Sequence, residues 1–320
     1  MKLKGLSGGQ YRPLSEKQIK TIHEASLSIL EKTGFTFEAG LEHTLDMLKK
    51  AGATVDRNNA RIYFPGDLVM EQTVKAPERV ILFSRDGRND LDLTKNRVHL
   101  GTGGAAIRIL DLETGEARPS TLKDIYQLGR LVDKLNNIHF FLRPCIPTDI
   151  PPTAYDVNVF YTCLKATGKH VMAGVNDVEG FRDVLDLSSL VAGGIKKLQE
   201  KPFISIITSF AISPLKLDTQ TTLIMQEAVR NRIPVALSCA PMAGSTSPIH
   251  HGRYPRPNPC RTTCRHHCLS VNKSWIPDIV WRYSWYGQSS DYGLPWRSCG
   301  MRYDECGNSP IVELYQGAEL

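Results

Sequence analysis

Apolar positions recur at helical spacing near the start of the chain. Ile19, Ile22, Ala25, Leu27, Ile29 and Leu30 form one stripe. Ser15 stands where an N-cap belongs and Gly34 where a helix ends, so the pattern predicts a first helix between them. A second helix is predicted over Leu41 to Lys50, ended by Gly52. Three short extended pieces follow: ARIYFP (60–65), RVILFSR (79–85) and RVHLGTGG (97–104). The phrase RILDLETGEARPST predicts a hairpin turning at Glu113, Thr114 and Gly115, with the glycine free to take positive φ. Thr121 then caps a helix through Leu135, and Asp124 supplies the acidic residue three positions on.

From residue 139 the pattern alternates. His139 to Pro144, Lys169 to Gly174, Phe203 to Ser209 and Pro234 to Met242 read as strands. Tyr155 to Thr167, Gly180 to Leu198 and Asp218 to Asn231 read as the helices between them. The strands are nearly continuous apolar runs, as strands buried on both faces are. Alternation of this length implies parallel β/α architecture, for which a (β/α)₈ barrel and a doubly wound sheet are the two candidates. No glycine-rich dinucleotide fingerprint follows any strand. The run Gly101-Thr102-Gly103-Gly104 reads as a tight turn or close backbone approach before a phosphate loop. That favours the barrel. A full barrel needs roughly 250 residues, and only about four β/α units fit before residue 249. The expectation is therefore an α/β fold, a partial TIM (β/α)₈ barrel truncated after about four units. Residues 1–135 supply N-terminal helical and β elements, 136–249 the first part of the barrel, and 250–320 no confident domain.

Composition changes the picture only at the far end. The 320 residues are 41% hydrophobic and 22% charged, a globular balance. No apolar run is long enough to span a membrane and no signal-peptide stretch opens the chain, so a cytoplasmic location is the default. The net charge of +6 is spread too thinly to suggest nucleic-acid binding. Cys145, Cys163 and Cys239 are scattered in apolar surroundings and read as buried thiols. After Ile249 the text shifts in character. All four tryptophans and five of the eight cysteines lie in residues 250–320.

The chain before that break resembles the trimethylamine methyltransferase family of corrinoid-dependent methylamine and quaternary-amine methyltransferases. The resemblance rests on LSEKQIKTIHEASLSILEKTG, DLETGEARPSTLKDIYQLGRLVDKLNNIHFF, PTDIPP, TGKHVM and SCAPMAGSTSPI, in that order. It implies a TIM barrel and methyl transfer from a methylated amine to the cobalt of a corrinoid. It also implies that the corrinoid is held by a separate small protein, with none bound directly by this chain. A homo-oligomer is possible for the full-length family protein. Some family members carry pyrrolysine, at a position past the region covered here. From His250 the chain departs from the family. Codons exist for His250 to Arg261 that, read one base later, spell TMAGTLAQTLAE, text of the family's kind. The expectation is a single-base frame change just before His250, leaving a truncated and inactive fragment. The rival reading is a non-enzymatic or zinc-binding protein using Cys260, Cys264, Cys268, His266, His267, Cys299 and Cys306.

Barrel chemistry sits at the C-terminal ends of strands. That nominates Arg143 to Asp149, Thr167 to His170, Ser209 to Ser213 and Ser238 to Ser245. Within these, His170 and Asp149 are the candidate catalytic residues, and Lys169 and Ser238 the candidate cofactor contacts; no metal ligands are assigned. His170, Asp149 and Ser238 each have a plain alternative. His170 is equally a satisfied structural histidine, Asp149 a turn cap, and Ser238 and Ser245 likewise. Tyr155, Phe140, Phe141 and Phe210 are candidate aromatic walls for a quaternary ammonium, with core packing as the competing reading. The partners implied are a cognate corrinoid protein and a small methylated amine.

Overall fold

The computed structural model describes residues 6–8, 15–75, 80–93, 97–209, 211–238 and 245. The N-terminal part runs β1 (Leu6–Ser7), α1 (Glu16–Lys32), β2 (Phe35–Phe37), α2 (Glu42–Lys50), β3 (Thr54–Asp56), β4 (Arg61–Tyr63), α3 (Gly66–Lys75), β5 (Ile81–Leu82), β6 (Leu91–Asp92) and β7 (Arg97–Val98). A hairpin follows, β8 (Arg108–Leu110) and β9 (Ala117–Pro119), and then α4 (Leu122–Lys134). The remainder is β10 (Phe141–Leu142), α5 (Tyr155–Ala166), β11 (Val171–Ala173), α6 (Val178–Ala192), α7 (Ile195–Glu200), β12 (Ile204–Thr208), β13 (Ala211–Ile212), β14 (Lys216–Leu217), α8 (Thr219–Arg230) and β15 (Val235–Leu237).

The central sheet is β10-β11-β12-β15, all parallel and all in chain order. A doubly wound sheet reverses its strand order at a switch point; this one does not. The glycine-rich run lies parallel to β10 at the sheet's edge, through the bridges Gly101–Phe140 and Ala106–Cys145. Its backbone exchanges bonds with that strand: the His139 amide donates to Leu100 O at 2.6 Å and the Ile146 amide to Ala106 O at 2.8 Å. Gly101 is required there, because a Cβ at this position would fall 2.2 Å from the ring of Phe140. The run thus makes a close backbone approach, as one of its two readings had it. Among the described residues the sheet does not close on itself.

Alternation along the strands sorts two apolar layers. Phe141, Val171, Ala173, Ile204 and Ile206 face the helices and share one core with Val159, Phe160, Phe181 and Val184. Helix α5 packs on α4, α6 on α5 and α8 on α6, so the helices form one row over one face. Phe140, Leu142, Met172 and Ala236 point the other way, where Val80, Leu82 and Leu91 of the β5–β6 region cover them. The observed fold is mixed α/β, with the alternating segments where the sequence places them.

One element departs from the sequence expectation. The single helix expected over residues 180–198 is split: Gly193 turns left-handed at φ 78° and ends α6, and α7 restarts after Gly194. The N-terminal elements also pack with segments that come much later in the chain. Strands β13 and β14, from the connection between β12 and α8, complete a five-stranded sheet of order β13-β14-β2-β4-β3. Lys216 reaches Glu38 at 2.5 Å, and Gln226 of α8 donates to Thr44 at 2.7 Å, inside the buried seam. Ala211, Leu217 and Met225 join the N-terminal core of Leu30, Phe35, Leu45 and Phe64.

Helix α4 lies so close to α5 that Gly129 has no room for a side chain; a Cβ would stand 2.5 Å from that of Ala166. Alanine in a helix normally gains about 1 kcal/mol over glycine, whereas overpacking costs about 1–3 kcal/mol. Gly129→Ala should therefore lower stability by about 1 kcal/mol net in urea denaturation, opposite in sign to the usual helix substitution.

Candidate functional site

The C-terminal edge of the central sheet presents a small-residue rim above an apolar floor. Leu142, Met172, Ala236 and the partly buried Ile207 form the floor. Two residues on along each of β12 and β15, on the same face, stand Ser209 and Ser238. Their hydroxyls meet at 2.7 Å, and the Ser238 amide donates to Thr208 O at 2.9 Å, carrying the ladder one step past β15. Gly174 holds the corresponding place after β11; a Cβ there would lie 3.3 Å from Ile207 O. The rim therefore has hydroxyls and open backbone where bulkier side chains would fill the space. Arg143 follows β10 on the helix side, with its guanidinium 6.0 Å from the Tyr155 ring centre and Nη1 donating to the Tyr155 hydroxyl at 3.4 Å. Asp156 anchors the loop after β11, accepting the Asn176 amide at 2.8 Å. Burial pushes its carboxyl above the usual range.

The four nominated residues do not assemble. Ser238 and Asp149 lie towards the C-terminal edge, whereas Lys169 and His170 precede β11 and sit at the opposite end. Asp149 is exposed, and its Oδ1 accepts the amide of Leu122 at 3.0 Å, so it caps the first turn of α4. Lys169 is buried, and its Nζ donates to Val132 O, Leu135 O and Ile138 O at 2.7, 2.7 and 2.6 Å. All three ammonium hydrogens are taken, at the negative end of α4. His170 has no exposed surface. The carbonyl of Phe83, 2.8 Å from Nδ1, can only accept, which fixes the proton there. Nε2 then accepts from the Ser205 hydroxyl at 2.9 Å. Desolvation pushes the imidazole down to about 4. The geometry gives Lys169 and His170 structural work, the plain alternative already stated for His170.

Of the aromatic candidates, Phe141 belongs to the helix-side core and Phe140 closes on Gly101. Tyr155 is engaged with Arg143, and Phe210 lies outside the described residues. Ser245 is exposed in a turn. Cys145 and Cys163 are buried free thiols, and burial pushes Cys163 up to about 12, far from a thiolate at neutral pH. Cys239 and the histidines and cysteines of residues 250–320 lie outside the described residues. Sequence reasoning named the stretch from Ser209 but missed its pairing with Ser238, and missed Gly174. Their signal was available: each stands at the end of an apolar parallel strand.

The family model for trimethylamine methyltransferase (MTTB) matches residues 5–252. The chain belongs to the trimethylamine methyltransferase family. The match ends three residues past Ile249, beside the break in the sequence text. Family relatives include the trimethylamine methyltransferase MttB of Desulfitobacterium hafniense (strain DSM 10664 / DCB-2), 32% identical over 245 residues, covering 77% of this chain and 48% of the relative. The glycine betaine methyltransferase of Desulfitobacterium hafniense (strain Y51) is 27% identical over 241 residues, covering 75% and 49%. The trimethylamine methyltransferase MttB of Methanosarcina barkeri (strain Fusaro / DSM 804) is 27% identical over 253 residues, covering 77% and 50%. This family chain therefore spans about half the length of the curated relatives it matches. Among solved structures, the monomethylamine methyltransferase (MtmB) of Methanosarcina barkeri aligns at a TM-score of 0.49 and 13% identity, over 84% of this chain and 52% of that one. Among the described residues no helix is long and apolar enough to cross a membrane.

Two outcomes follow for the residues at the N-terminal end. Lys169→Met keeps the aliphatic stem but leaves three carbonyls without their cation. Stability should fall by about 3 kcal/mol, read as a drop in the urea midpoint. His170 has a folded pKa near 4 against an ordinary 6.5. The unfolded chain therefore takes up a proton first as pH falls, and the stabilisation present above pH 6.5 is lost as pH drops towards 4. From this group alone the chain should be about 2 kcal/mol less stable at pH 5 than at pH 7. His170→Asn should shrink that difference between paired denaturation curves at the two pH values.

Proposed function

We propose that this chain is the first part of a methyltransferase that moves a methyl group from trimethylamine or a quaternary amine to a corrinoid. In this reading the described sheet is the beginning of a (β/α)₈ barrel. Its chain-ordered parallel strands, with helices in a row on one face, support that reading. The single observation that carries the function is the family match over residues 5–252, the same stretch that builds the apolar floor and its hydroxyl rim. The corrinoid, supplied on a separate protein, would provide a reduced cobalt that accepts the methyl group. The small rim residues Gly174, Ser209 and Ser238 leave room at the strand ends for the amine and for the approach of that carrier.

The chemistry asks this chain for orientation and desolvation. In this reading the amine rests at the small-residue rim, next to the partly buried Ile207 and above the buried Leu142, Met172 and Ala236, while water is kept from the nitrogen. A quaternary nitrogen departs neutral; a tertiary one must gain a proton as it departs, and the Ser209–Ser238 hydroxyl pair is the nearest place in the described rim to relay it. The rest of the barrel wall lies in the half of the relatives that this chain does not match. We infer that the chain as it stands is inactive, because its rim is only part of a ring.

The test supplies the purified chain with a family corrinoid protein in its reduced state and with trimethylamine or glycine betaine, following methyl-cobalt formation by absorbance. No methylation above background is expected from the 320-residue chain. A version of the gene corrected by one base before His250, and extended to the length of the relatives, should show activity that Ser209→Ala and Ser238→Ala together reduce at least tenfold. Methylation by the uncorrected chain would overturn the inactivity. A silent corrected protein that is folded would overturn the functional reading.

A further inference from the structure

We infer that Asp156 and Arg143 form a charge-operated latch on the loop that carries Gly174. With Asp156 neutral, the Arg143 guanidinium rests on Tyr155; with Asp156 ionised, it turns to the carboxylate and the loop tightens. The latch stands on this chain's own geometry and does not depend on methyl transfer.

Two buried atoms of opposite character lack partners here. Arg143 follows β10, and Tyr155 and Asp156 open α5. Arg143 Nε is buried without an acceptor, and an N–H at that atom can only donate. Asp156 is 6% exposed, and its Oδ1 is buried without a donor. Buried polar atoms are seldom left unpaired, and each exception calls for a reason. These two are complementary, and the Arg143 charge is felt at the Asp156 carboxyl. What holds the guanidinium elsewhere is slight. Its Nη1 donates to the Tyr155 hydroxyl at 3.4 Å, longer than the usual range, and the cation stands 6.0 Å from the ring centre.

The other carboxyl oxygen is committed to the loop. Oδ2 accepts the amide of Asn176, two residues after Gly174, at 2.8 Å. A Cβ at Gly180 would fall 2.1 Å from Oδ2, so the first turn of α6 is bare where the carboxyl enters. Asp177 caps the same turn by accepting the Gly180 amide at 2.7 Å. One side chain of α5 thus touches both the loop and the helix that follows it.

Opposing effects set the charge on that side chain. Burial resists ionisation, and so do Asp177 and Asp183 from α6. The Asn176 amide and Arg143 favour it, as does a place at the start of a helix. Burial prevails, and the carboxyl titrates above the ordinary range. The titratable groups that face Arg143, namely Tyr155, Cys145 and Cys163, are all pushed up by burial and stay neutral meanwhile. Below the Asp156 midpoint the carboxyl offers Asn176 an uncharged acceptor and Arg143 little attraction. Above it the carboxylate takes two charge-assisted bonds, from Arg143 Nε and from the Asn176 amide. The loop is therefore firmer at the higher pH.

The experiment labels the full chain with ¹⁵N-arginine and follows the Nε–H signal of Arg143 by NMR from about pH 4 to about pH 8. Loss of the signal in Arg143→Lys identifies it. Amide exchange over residues 174–177 is measured across the same range, with the intrinsic rates divided out. A single step in the arginine signal is expected, with its midpoint above that of an ordinary aspartate. Protection of the Asn176 amide should rise at least threefold across that step. Asp156→Asn keeps the shape of the neutral acid, and its carbonyl replaces Oδ2, so both readouts should stay at their low-pH values. Asp183→Asn changes an exposed residue and removes a like charge, so the midpoint should fall. The latch is overturned by an arginine signal that does not move, by a step that persists in folded Asp156→Asn, or by a step without change at Asn176. If Asp156→Asn does not fold, Asp183→Asn decides: a midpoint that stays or rises also overturns it.

Discussion

A single desolvated ammonium group organises the N-terminal end of this molecule. Lys169 spends all three of its hydrogens on carbonyls from the last turn of α4 and from the turn that leads to β10. Helix, turn and β11 are thereby held at one point, and the alignment of the parallel strands is fixed where they start. Burial draws the lysine pKa down, yet three oxygens at a helix C-terminus give the cation a reason to stay charged. His170, the next residue, does the complementary job with a neutral ring. It bridges the Phe83 carbonyl beneath the sheet to the Ser205 hydroxyl on the neighbouring strand. With one end pinned in this way, the opposite end is free to carry small side chains.

Much of the architecture was legible because it depends on local rules. The stripe from Ile19 to Leu30 gave α1, and Glu113, Thr114 and Gly115 gave the hairpin turn, where Asp111 accepts the amides of Glu113 and Thr114. The Thr121 amide donates to Asp124 at 2.8 Å, as the capping pattern indicates. What was not legible is non-local. Nothing near Lys216 announces that its strand will pair with β2, because the two are brought together only by the tertiary fold. The site followed the same division. Strand ends can be read from apolar runs, so the place of Ser238 at the C-terminal edge was legible. The side of the sheet on which a titratable residue falls depends on where each strand begins. Lys169 and His170 precede β11 by one or two residues, and that offset decides between the C-terminal edge and the N-terminal one.

The separation of the two edges also explains why familiar signs of chemistry mislead in this chain. Two strongly perturbed titratable groups, His170 and Cys163, are perturbed by burial in packing roles. Perturbed ionisation marks function when a cleft and a partner charge accompany it; neither residue has both. The C-terminal rim is made of groups with no titration in the ordinary range, glycine and two serines. It is apolar below and lightly polar above, the character that the proposed function draws on.

The five-stranded N-terminal sheet has a consequence for how the chain is made. Thr36 bonds a carbonyl 179 residues later in the sequence. At a synthesis rate of about 5–20 residues per second, β2 waits roughly 10–40 s on the ribosome before its partner emerges. During that interval the edge of β2 is open and the core around Phe35 lacks Ala211, Leu217 and Met225. The first elements translated are thus among the last to be completed, and nascent chains spend that time as targets for holdase chaperones or for one another.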